Sequence, residues 1–530
     1  MKPHLRLPRI AALSLAAVLA SVLPASAEIR LPNVISDHAV LQRGVPIHIW
    51  GWATPGAAVT ATLHNQTLPA TADRLGEWSV WFQPESAGGP YTLTAKGDGS
   101  EGSKTLSDLL IGDVWLASGQ SNMEFPLKGF PPSNPLKNGP AEIHAANNPE
   151  IRLLLVNQIS SDFPLHDLPD KQLTSKELSN KALRNQDPRA VWTTCTPETA
   201  AKFSAVAYLF GKNIAADEHV PIGLIDASWG GTIVDAWISL EGLSSNPNLL
   251  AAFANRAVYQ STLAQTDAIQ AAERRETEAA KAAAQPLPKF KWHPYGPSWM
   301  PAGLYNGMIA PLTPYALKGF LWYQGESDAN PERAPHYTAL FEALIEDWRS
   351  HFAQGELPFL FVQISSFDGN GPSWPRVQDA QRRSLALRNT AMAVTNDIGD
   401  PNSVHPADKQ TVGARLALAA EGMVYGKPIA YQSPLFRQAV PTPGGMQVWF
   451  DHAEGLNSKS AKIEGFELAG PDHEFVPAEA TVQGETVLVK STAIPNPTYV
   501  RFAWTSVAPP PLYNSAGLPA SNFTSEPTIP

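Results

Sequence analysis

The chain has 530 residues but a single cysteine, Cys195, so it cannot form a disulfide within itself. It also has no His-Glu-x-x-His motif and no Cys/His cluster with the spacing of metal ligands. Acidic residues outnumber basic ones by 49 to 39, which gives a net charge of −10. These absences argue against a disulfide-stabilised scaffold, against a zinc enzyme, and against a protein that binds nucleic acid or an anionic membrane.

Long apolar runs are missing after the first 27 residues, so nothing later in the sequence predicts a membrane-spanning helix. The first segment has a basic start, an apolar run over residues 10–23, and small residues at 25–27. This pattern predicts a secretory signal peptide at 1–27 and a mature chain that begins at Glu28. An exported chain without disulfides favours a bacterial periplasm over a eukaryotic secretory route.

The pattern of predicted elements changes twice along the mature chain. Residues 28–108 contain short alternating strands separated by Gly, Pro, Asn and Asp turns, which predicts an N-terminal β-sandwich domain. Residues 109–425 alternate strands with helices, which predicts a parallel sheet covered by helices on both faces. Residues 426–530 return to short strands and predict a C-terminal β domain. The chain is therefore expected to be an α/β protein with a β domain on each side.

Aromatic residues concentrate in two segments. The N-terminal domain has four tryptophans that we expect in its core rather than on a sugar-binding surface: Trp50, Trp52, Trp78 and Trp81. An insertion at about 245–301 combines an alanine-rich helix at 251–284 with a stretch rich in Pro and aromatic residues at 286–301. That stretch is either a wall of a substrate cleft or a surface decoration, and the sequence leaves both open.

The most informative segment is residues 114–123, where an apolar strand runs directly into a polar turn. Gly119 allows a sharp bend, which would hold Ser121 at the carboxyl edge of a sheet, where open α/β sheets bind ligands. Alternatively, Ser118, Ser121 and Asn122 only cap a helix. A serine nucleophile also needs a base and an oxyanion site, so the rest of the chain decides between these interpretations.

Three later segments supply such groups. Gly230 and Gly231 follow a predicted strand and would let backbone N–H groups approach a ligand, as an oxyanion hole requires. Gln324 stands at the end of another predicted strand, and its side-chain amide is a further candidate donor. His405 lies on a loop after the last predicted strand, in a suitable position for a general base.

Together these segments resemble the SGNH hydrolases, more narrowly the sialate O-acetylesterase family and its relatives that deacetylate plant polysaccharides. The resemblance rests on four motifs: Gly-Gln-Ser-Asn-Met at 119–123, Ser-Trp-Gly-Gly-Thr at 228–232, Trp-Tyr-Gln-Gly-Glu-Ser at 322–327 and Val-His-Pro at 404–406. Further similar stretches extend it over most of the mature chain: 304–311, 409–415 and 512–520. The resemblance implies a flavodoxin-like, three-layer SGNH hydrolase domain between the two β domains.

The resemblance also implies a role for each candidate site residue. Ser121 would be the nucleophile, and His405 the base that takes its proton. The backbone N–H of Ser121, an amide from Gly230 or Gly231, and the Gln324 side chain would hold the oxyanion. An esterase of this type needs no cofactor and no metal.

One departure from the family concerns the group that orients His405. Many SGNH hydrolases have an aspartate three residues before the histidine, where this chain has Asn402. An amide cannot stabilise an imidazolium as a carboxylate does. Either Asp397 or Asp400 reaches His405 through the loop, or a backbone carbonyl orients the ring and the site is a Ser-His dyad.

The predicted activity is removal of acetyl groups from glycan hydroxyls through an acyl-enzyme at Ser121. The acidic net charge gives a preference for a neutral plant cell-wall glycan such as xyloglucan or xylan, with acetylated sialic acid left open. An α/β-hydrolase is a poor match, because its Gly-x-Ser-x-Gly elbow would need glycine at Met123. The alternative from another class is a non-catalytic carbohydrate-binding or scaffold protein on an esterase fold. The sequence does not determine the oligomeric state.

Overall fold

A computed structural model describes residues 28–98, 102–130, 135–169, 190–283, 285–288, 290, 296–369, 371–460, 462–508 and 512–527, with the backbone alone at 257–267. The predicted signal peptide lies outside these residues. None of the helices in these ranges is both long and apolar enough to cross a membrane.

Within the described ranges the chain forms two compact units. The first comprises the described part of Met1–Pro32 with His48–Phe82 and Tyr91–Ser107, and the second comprises Asn33–Ile47, Gln83–Pro90 and the described part of Asp108–Pro530. The three-domain division at residues 108 and 425 stays a prediction.

The N-terminal strands are short: β1 (Val40–Gln42), β2 (Ile47–Trp52), β3 (Ala58–Leu63), β4 (Gln66–Thr71), β5 (Glu77–Phe82) and β6 (Gly88–Gly97). In the first unit, β3 pairs antiparallel with both β4 and β6, whereas β2 pairs with β5 in a separate two-stranded sheet. Exposed and buried side chains alternate along β5, as they do in a strand with one face on a core.

The four tryptophans of this unit do not all lie in its core. Trp50 and Trp78 are buried, with exposed fractions of 8% and 3%, and Trp52 is half-buried. The prediction was wrong for Trp81, whose side chain is 58% exposed. Trp78 and Trp81 are three residues apart on β5, and because side chains alternate along a strand, this odd spacing puts them on opposite faces.

The second unit is built on a central sheet whose strands are β7 (Ser103–Gly119), β8 (Asn148–Leu155), β9 (Trp192–Cys195), β10 (Ile222–Ser228), β11 (Gly319–Tyr323), β12 (Phe359–Val362) and β13 (Thr390–Ala393). Their order is β13-β12-β11-β7-β10-β8-β9. All neighbours in this order are parallel except β8 and β9. The parallel sheet predicted for 109–425 is confirmed, while β8 and β9 were not anticipated.

The helices are α1 (Ser121–Glu124), α2 (Gly139–Ala145), α3 (Pro197–Lys202), α4 (Ala205–Glu218), α5 (Leu240–Ser244), α6 (Leu250–Ala282), α7 (Tyr337–Phe352), α8 (Ser373–Arg383) and α9 (Lys409–Met423). Short 3₁₀ or π turns occur at Val234–Trp237, Pro247–Leu249, Gly296–Trp299, Tyr305–Ile309, Ala310–Leu312, Glu326–Asp328, Ala334–His336 and Ser384–Ala386. The alanine-rich helix predicted for the insertion corresponds to α6.

Helices cover both faces of the sheet, as predicted. On β11, the side chains of Phe320 and Trp322 contact Trp348 of α7. Gly319 of the same strand faces the opposite side, toward Trp115, whose ring meets Phe210 of α4. The flavodoxin-like SGNH assignment is more specific than these contacts and stays a prediction.

The C-terminal strands are β14 (Leu435–Thr442), β15 (Gly445–Asp451), β16 (Asn457–Ser458), β17 (Phe466–Ala469), β18 (Val476–Pro477), β19 (Glu479–Gln483), β20 (Thr486–Lys490), β21 (Tyr499–Phe502), β22 (Leu512–Tyr513) and β23 (Phe523–Thr524). They include two four-stranded sheets, β14-β15-β20-β19 and β18-β17-β21-β23. Val448, Phe466, Val487, Phe502 and Phe523 belong to their shared core. The tail then returns to the central sheet, where Gln363 donates to Ser521 Oγ at 2.7 Å.

Candidate active site

Ser121 stands at the carboxyl edge of the central sheet, two residues after β7 ends. Gly119 has φ +136°, and a methyl group on it would lie 2.1 Å from the Tyr323 carbonyl oxygen on the neighbouring strand. Only glycine fits both conditions. The backbone N–H of Gln120 then donates to that carbonyl at 2.9 Å, which fixes the bend that leads into α1. Ser121 is the first residue of α1, so its own N–H has no acceptor within the helix.

The structure brings Ser121 together with His405, which lies on the loop between β13 and α9. Ser121 Oγ and His405 Nε2 are 2.8 Å apart, a hydrogen-bond distance. The two residues are 284 positions apart in sequence. They meet because the loops after parallel strands gather at one edge of the sheet.

The environment of His405 favours its neutral form. Burial, followed by the positive charge of Lys409, lowers the pKa of His405 to about 4. Its ring packs near Phe125 and Phe130, with ring centroids 6.1 and 5.6 Å away. A neutral imidazole can accept the proton of a serine hydroxyl, so this histidine is in the protonation state that a general base needs at neutral pH.

The predicted carboxylate partner of His405 is not found next to it. Asp397 forms a two-point ion pair with Arg415, with N–O distances of 2.7 and 2.8 Å. The Asp400 carboxylate accepts the backbone N–H of Asn402 at 2.9 Å. In the part of the chain that the structure describes, no carboxylate hydrogen-bonds to the His405 ring. Asp397 lies elsewhere because the planar guanidinium of Arg415 matches its two oxygens.

The loop that carries His405 is held through its backbone instead. Asn122, the residue after the serine, donates from Nδ2 to the Val404 carbonyl at 2.9 Å. Ser403 Oγ lies 3.2 Å from both the N–H and the carbonyl oxygen of His405. The side chain next to the serine therefore ties the histidine loop to α1.

Asn122 is also the centre of a buried charged network. Its Oδ1 accepts from the Lys409 ammonium, and its Nδ2 donates to Glu326 Oε1 at 2.5 Å. Burial lowers the pKa of Lys409 to about 7, although Glu326 acts in the opposite direction. The ammonium lies about 5 Å from the ring centroids of Phe125 and Tyr323 (5.1 and 5.3 Å). The sequence pattern indicated for Asn122 only a possible role as a helix cap. No pattern in the sequence indicated that Lys409 is buried.

The two glycines predicted for the oxyanion hole differ in their contacts. The Gly230 N–H donates to Glu124 Oε2 at 2.6 Å. A methyl group on Gly230 would lie 3.1 Å from Ser121 Cβ, so this glycine lies against the serine. The Gly231 carbonyl accepts from the indole N–H of Trp299 at 2.5 Å. Because Trp299 belongs to the insertion, at least this part of the insertion contacts the site; residues 289 and 291–295 lie outside the described ranges.

Gln324 is fully buried, and its side chain is engaged within the protein. Its Nε2 donates to Asp328 Oδ2 at 2.5 Å and to the Thr232 carbonyl at 3.1 Å, while its Oε1 accepts from the Tyr337 hydroxyl at 3.0 Å. Arg333 pairs with Asp328 and with Asp235. These bonds attach the turn that follows β11 to the glycine turn that follows β10.

A cleft of about 340 Å³ lies next to the end of β10, where Ser228 lines it. Phe130 lines it and packs against His405, and Glu124, which belongs to α1, lines it as well. Asp226 lies on its wall, and burial raises the pKa of that carboxyl to about 7, with the charge of Glu124 adding to the rise. Lys128 and Lys202 also line the cleft, and both side chains are exposed.

Comparison with known proteins identifies relatives along nearly the whole chain. Residues 291–421 match a family model described as carbohydrate esterase, sialic acid-specific acetylesterase. Mouse sialate O-acetylesterase is 30% identical over 520 residues, covering 90% of each chain. The human sialate O-acetylesterase is 30% identical over 546 residues, covering 93% of this chain and 92% of the human one.

A solved structure shares the fold. It is described as a novel carbohydrate acetylesterase from Xanthomonas citri, and it is 33% identical with a TM-score of 0.77. The match covers 94% of this chain and 99% of that one. The mixed α/β architecture with additional antiparallel sheets is therefore that of a carbohydrate acetylesterase.

Proposed function

Because the chain belongs to the sialate O-acetylesterase family and is an esterase rather than a non-catalytic scaffold, we propose that it removes acetyl groups from sugar hydroxyls. The observation that carries this proposal is the 2.8 Å contact between Ser121 Oγ and His405 Nε2 at the carboxyl edge of the central sheet. It joins a hydroxyl to a neutral imidazole, the pair that acyl transfer through serine requires.

The proposed reaction has two steps. Ser121 Oγ attacks the acetyl carbonyl carbon, and its proton passes to His405 Nε2. When the tetrahedral intermediate collapses, the C–O bond to the sugar breaks and His405 returns the proton to the sugar oxygen, leaving acetyl-Ser121. Water then attacks this ester with the same histidine as base, which releases acetate and restores the serine hydroxyl.

We assign the pair as a Ser-His dyad without a carboxylate. Asp397 is engaged by Arg415, and Asp400 by the backbone of Asn402. Positioning of His405 falls to the Asn122–Val404 hydrogen bond and to packing against Phe130. A neutral resting histidine suits this arrangement, because no carboxylate of the described residues hydrogen-bonds to the ring to stabilise an imidazolium before the serine reacts.

We propose that the backbone N–H groups of Ser121 and Gly230 hold the oxyanion. The Gly230 N–H donates to Glu124 Oε2 at 2.6 Å, which supports the view that this amide can bind a negatively charged oxygen. A substrate oxygen would replace the Glu124 carboxylate at that position. Gln324 is a weaker candidate, because its side-chain amide would have to leave both Asp328 and the Thr232 carbonyl. Gly231 stays an alternative donor, because Trp299 contacts its carbonyl and not its N–H.

The charged residues that line the cleft bear on the choice between two classes of acetylated sugar. The exposed Lys128 and Lys202 are suited to the carboxylate of a sialic acid, and sialate O-acetylesterases are among the relatives. Glu124 lies on the cleft wall, where a carboxylate repels an anionic sugar. Asp226 adds less to this repulsion, because burial raises its pKa to about 7. We retain the neutral plant glycan, of xyloglucan or xylan type, as the preferred substrate and O-acetylated sialic acid as the alternative.

Export to a bacterial periplasm is also part of the proposal. It is supported by the leader pattern at residues 1–27 and by the single cysteine. Expression of the full chain in a Gram-negative host, followed by fractionation, should recover a protein that begins at Glu28 in the periplasm. Recovery of an uncleaved chain in the cytoplasm would contradict it.

The activity is tested by acetate release from the purified mature protein, using a chromogenic acetyl ester, O-acetylated sialic acid, and acetylated xyloglucan and xylan. Ser121→Ala should abolish release from all of them. The matched control is Ser118→Ala, because this serine, near the end of β7, is buried and donates to the Ala227 carbonyl. Release that persists in Ser121→Ala would refute the proposed nucleophile, and the best glycan decides the substrate class.

A further inference from the structure

Trp81 is unusual among the tryptophans of the first unit because most of its side chain faces solvent. Its exposed fraction is 58%, and the other large exposed hydrophobic side chain in the described part of this unit is Leu75, at 80%. Exposing an indole forgoes the stabilisation that its burial would contribute. Single exposed apolar side chains are common, and Trp81 differs from them because its ring is held in a defined stack on His48.

The ring of Trp81 forms one end of an aromatic stack. The imidazole of His48 lies parallel to it, with ring centroids 4.1 Å apart and an interplanar angle of 6°. Trp50 stacks on His48 at 5.0 Å and 23°. Because one face of the Trp81 ring is covered by His48 while 58% of the side chain is exposed, its opposite face lies in solvent.

Other aromatic faces of this sheet are already covered. The guanidinium of Arg30 lies 4.2 Å over the ring of Trp52, at the far end of β2. Trp78 points to the buried side of β5. Trp81 is therefore left as an open, flat ring, and stacking on His48 fixes its orientation before any ligand arrives.

We propose that the first unit carries a non-catalytic glycan-binding surface in which the open face of Trp81 stacks against a pyranose ring of a polysaccharide. One face of a pyranose presents C–H groups, which complement the negative face of an indole. Ser79 and Glu77 are exposed on the same side of β5 and supply polar groups for sugar hydroxyls. This inference does not depend on the proposed chemistry at Ser121.

The size of the surface favours a sugar over a protein partner. A stable protein interface buries about 800 Å² on each side, whereas one tryptophan supplies about 150–250 Å² at most. Leu75 is the other large apolar side chain exposed in the described part of this unit. A single flat ring flanked by polar side chains instead matches the face of one sugar residue.

The test measures binding of the mature protein in the Ser121→Ala background, so that acetyl groups remain on the glycan. Affinity electrophoresis and calorimetry would use xyloglucan and xylan, each acetylated and deacetylated. Trp81→Ala should weaken binding to at least one of these glycans by about tenfold, and Trp81→Phe should retain part of it. Leu75→Ala is the matched control, because it removes an exposed apolar side chain from the same unit without touching the stack.

Activity separates this surface from the catalytic site. With Ser121 present, Trp81→Ala should leave kcat/KM for a small acetyl ester within about twofold of the parent while lowering it for the polysaccharide. The proposal is overturned if the parent protein binds none of the glycans, or if Trp81→Ala, with an unchanged unfolding midpoint, binds as tightly as the parent. A change in self-association without a change in glycan binding would also refute it. Failure of acetate release alone would count only against the proposed function.

Discussion

The two halves of the candidate site are held in place by different means. Ser121 follows a long buried strand, and its turn is fixed by Gly119, by the Gln120–Tyr323 backbone bond and by the Gln120 side chain, which accepts from the backbone of Ser327 at 3.1 Å. His405 lies on an irregular loop and depends on a few bonds, chiefly from Asn122. The sheet positions the proposed nucleophile, whereas a neighbouring side chain positions the proposed base.

This difference indicates where each half is sensitive to substitution. On the serine side, a change in the backbone disturbs the turn from β7 into α1, which is hydrogen-bonded to the end of the neighbouring strand β11. On the histidine side, loss of a single hydrogen bond leaves the fold intact but releases the loop. Misplacement of a reacting group by about 1 Å costs about 100-fold in rate, so substitutions in the histidine half should reduce catalysis more than they reduce stability.

The largest effect is expected from Gly119→Ala. It combines a left-handed φ of +136° with a contact of 2.1 Å to Tyr323, so we expect a loss of about 3 kcal/mol or more in unfolding free energy and of at least 100-fold in kcat. Denaturant unfolding and ester hydrolysis measure both. Gly355→Ala is the control, because that glycine also has a positive φ but no atom within 4 Å, and it should leave kcat unchanged. Equal behaviour of the two variants would contradict the argument.

Asn122→Ala should lower kcat by about 100-fold with little change in KM. The reason is loss of the bond to Val404, which holds the histidine loop. The substitution should also lower the unfolding midpoint, because buried Lys409 and Glu326 lose a hydrogen-bond partner. Asn122→Asp keeps an acceptor for Lys409 but cannot donate to a carbonyl, so it should be equally impaired. Full activity in Asn122→Asp would show that the Lys409 contact, and not the loop bond, is what matters.

Removing a candidate carboxylate should have a smaller effect. Asp397→Asn and Asp400→Asn should each lower kcat by less than about tenfold, whereas loss of a true triad aspartate costs about 10⁴-fold. Asp397→Asn should also lower thermal stability slightly, because it weakens the pair with Arg415. A 1000-fold loss of kcat in either variant would replace the dyad with a triad.

The smallest effect is a shift in pH dependence. The Lys409 cation opposes protonation of His405, so Lys409→Met should raise the pKa of His405 from about 4 toward its ordinary value of 6.5. The base is active when neutral, and the acid limb of kcat/KM should therefore move to higher pH. Because burial contributes more to the lowered pKa than Lys409 does, the limb should stop short of 6.5. An unmoved limb would argue that Lys409 does not act on the histidine.

Much of the site was predictable because its groups follow local patterns. The change from a buried strand to a polar turn identified Ser121, and the parallel sheet places such turns at one edge. The histidine loop after β13 was identified in the same way. The opposite faces of Trp78 and Trp81 also follow from their spacing on β5, because side chains alternate along a strand.

Other features depended on contacts between distant parts of the chain. The loop before His405 contains two aspartates, and its sequence does not indicate that Asp397 pairs with Arg415. The burial of Lys409 beside Asn122 joins residues 287 positions apart. The strands β8 and β9 were not predicted, because their sequences do not alternate regularly between apolar and polar residues.

By itself, the sequence determined most of the strands and helices of the central sheet and which turns carry candidate reactive groups, because hydrophobic period and glycine conformation are local properties. Only the tertiary structure decided which groups meet. Strand order brings the turn after β7 next to the loop after β13, and competition among distant charged groups assigns each carboxylate its partner. As a result, Asp397 pairs with Arg415, while the His405 loop is held by Asn122.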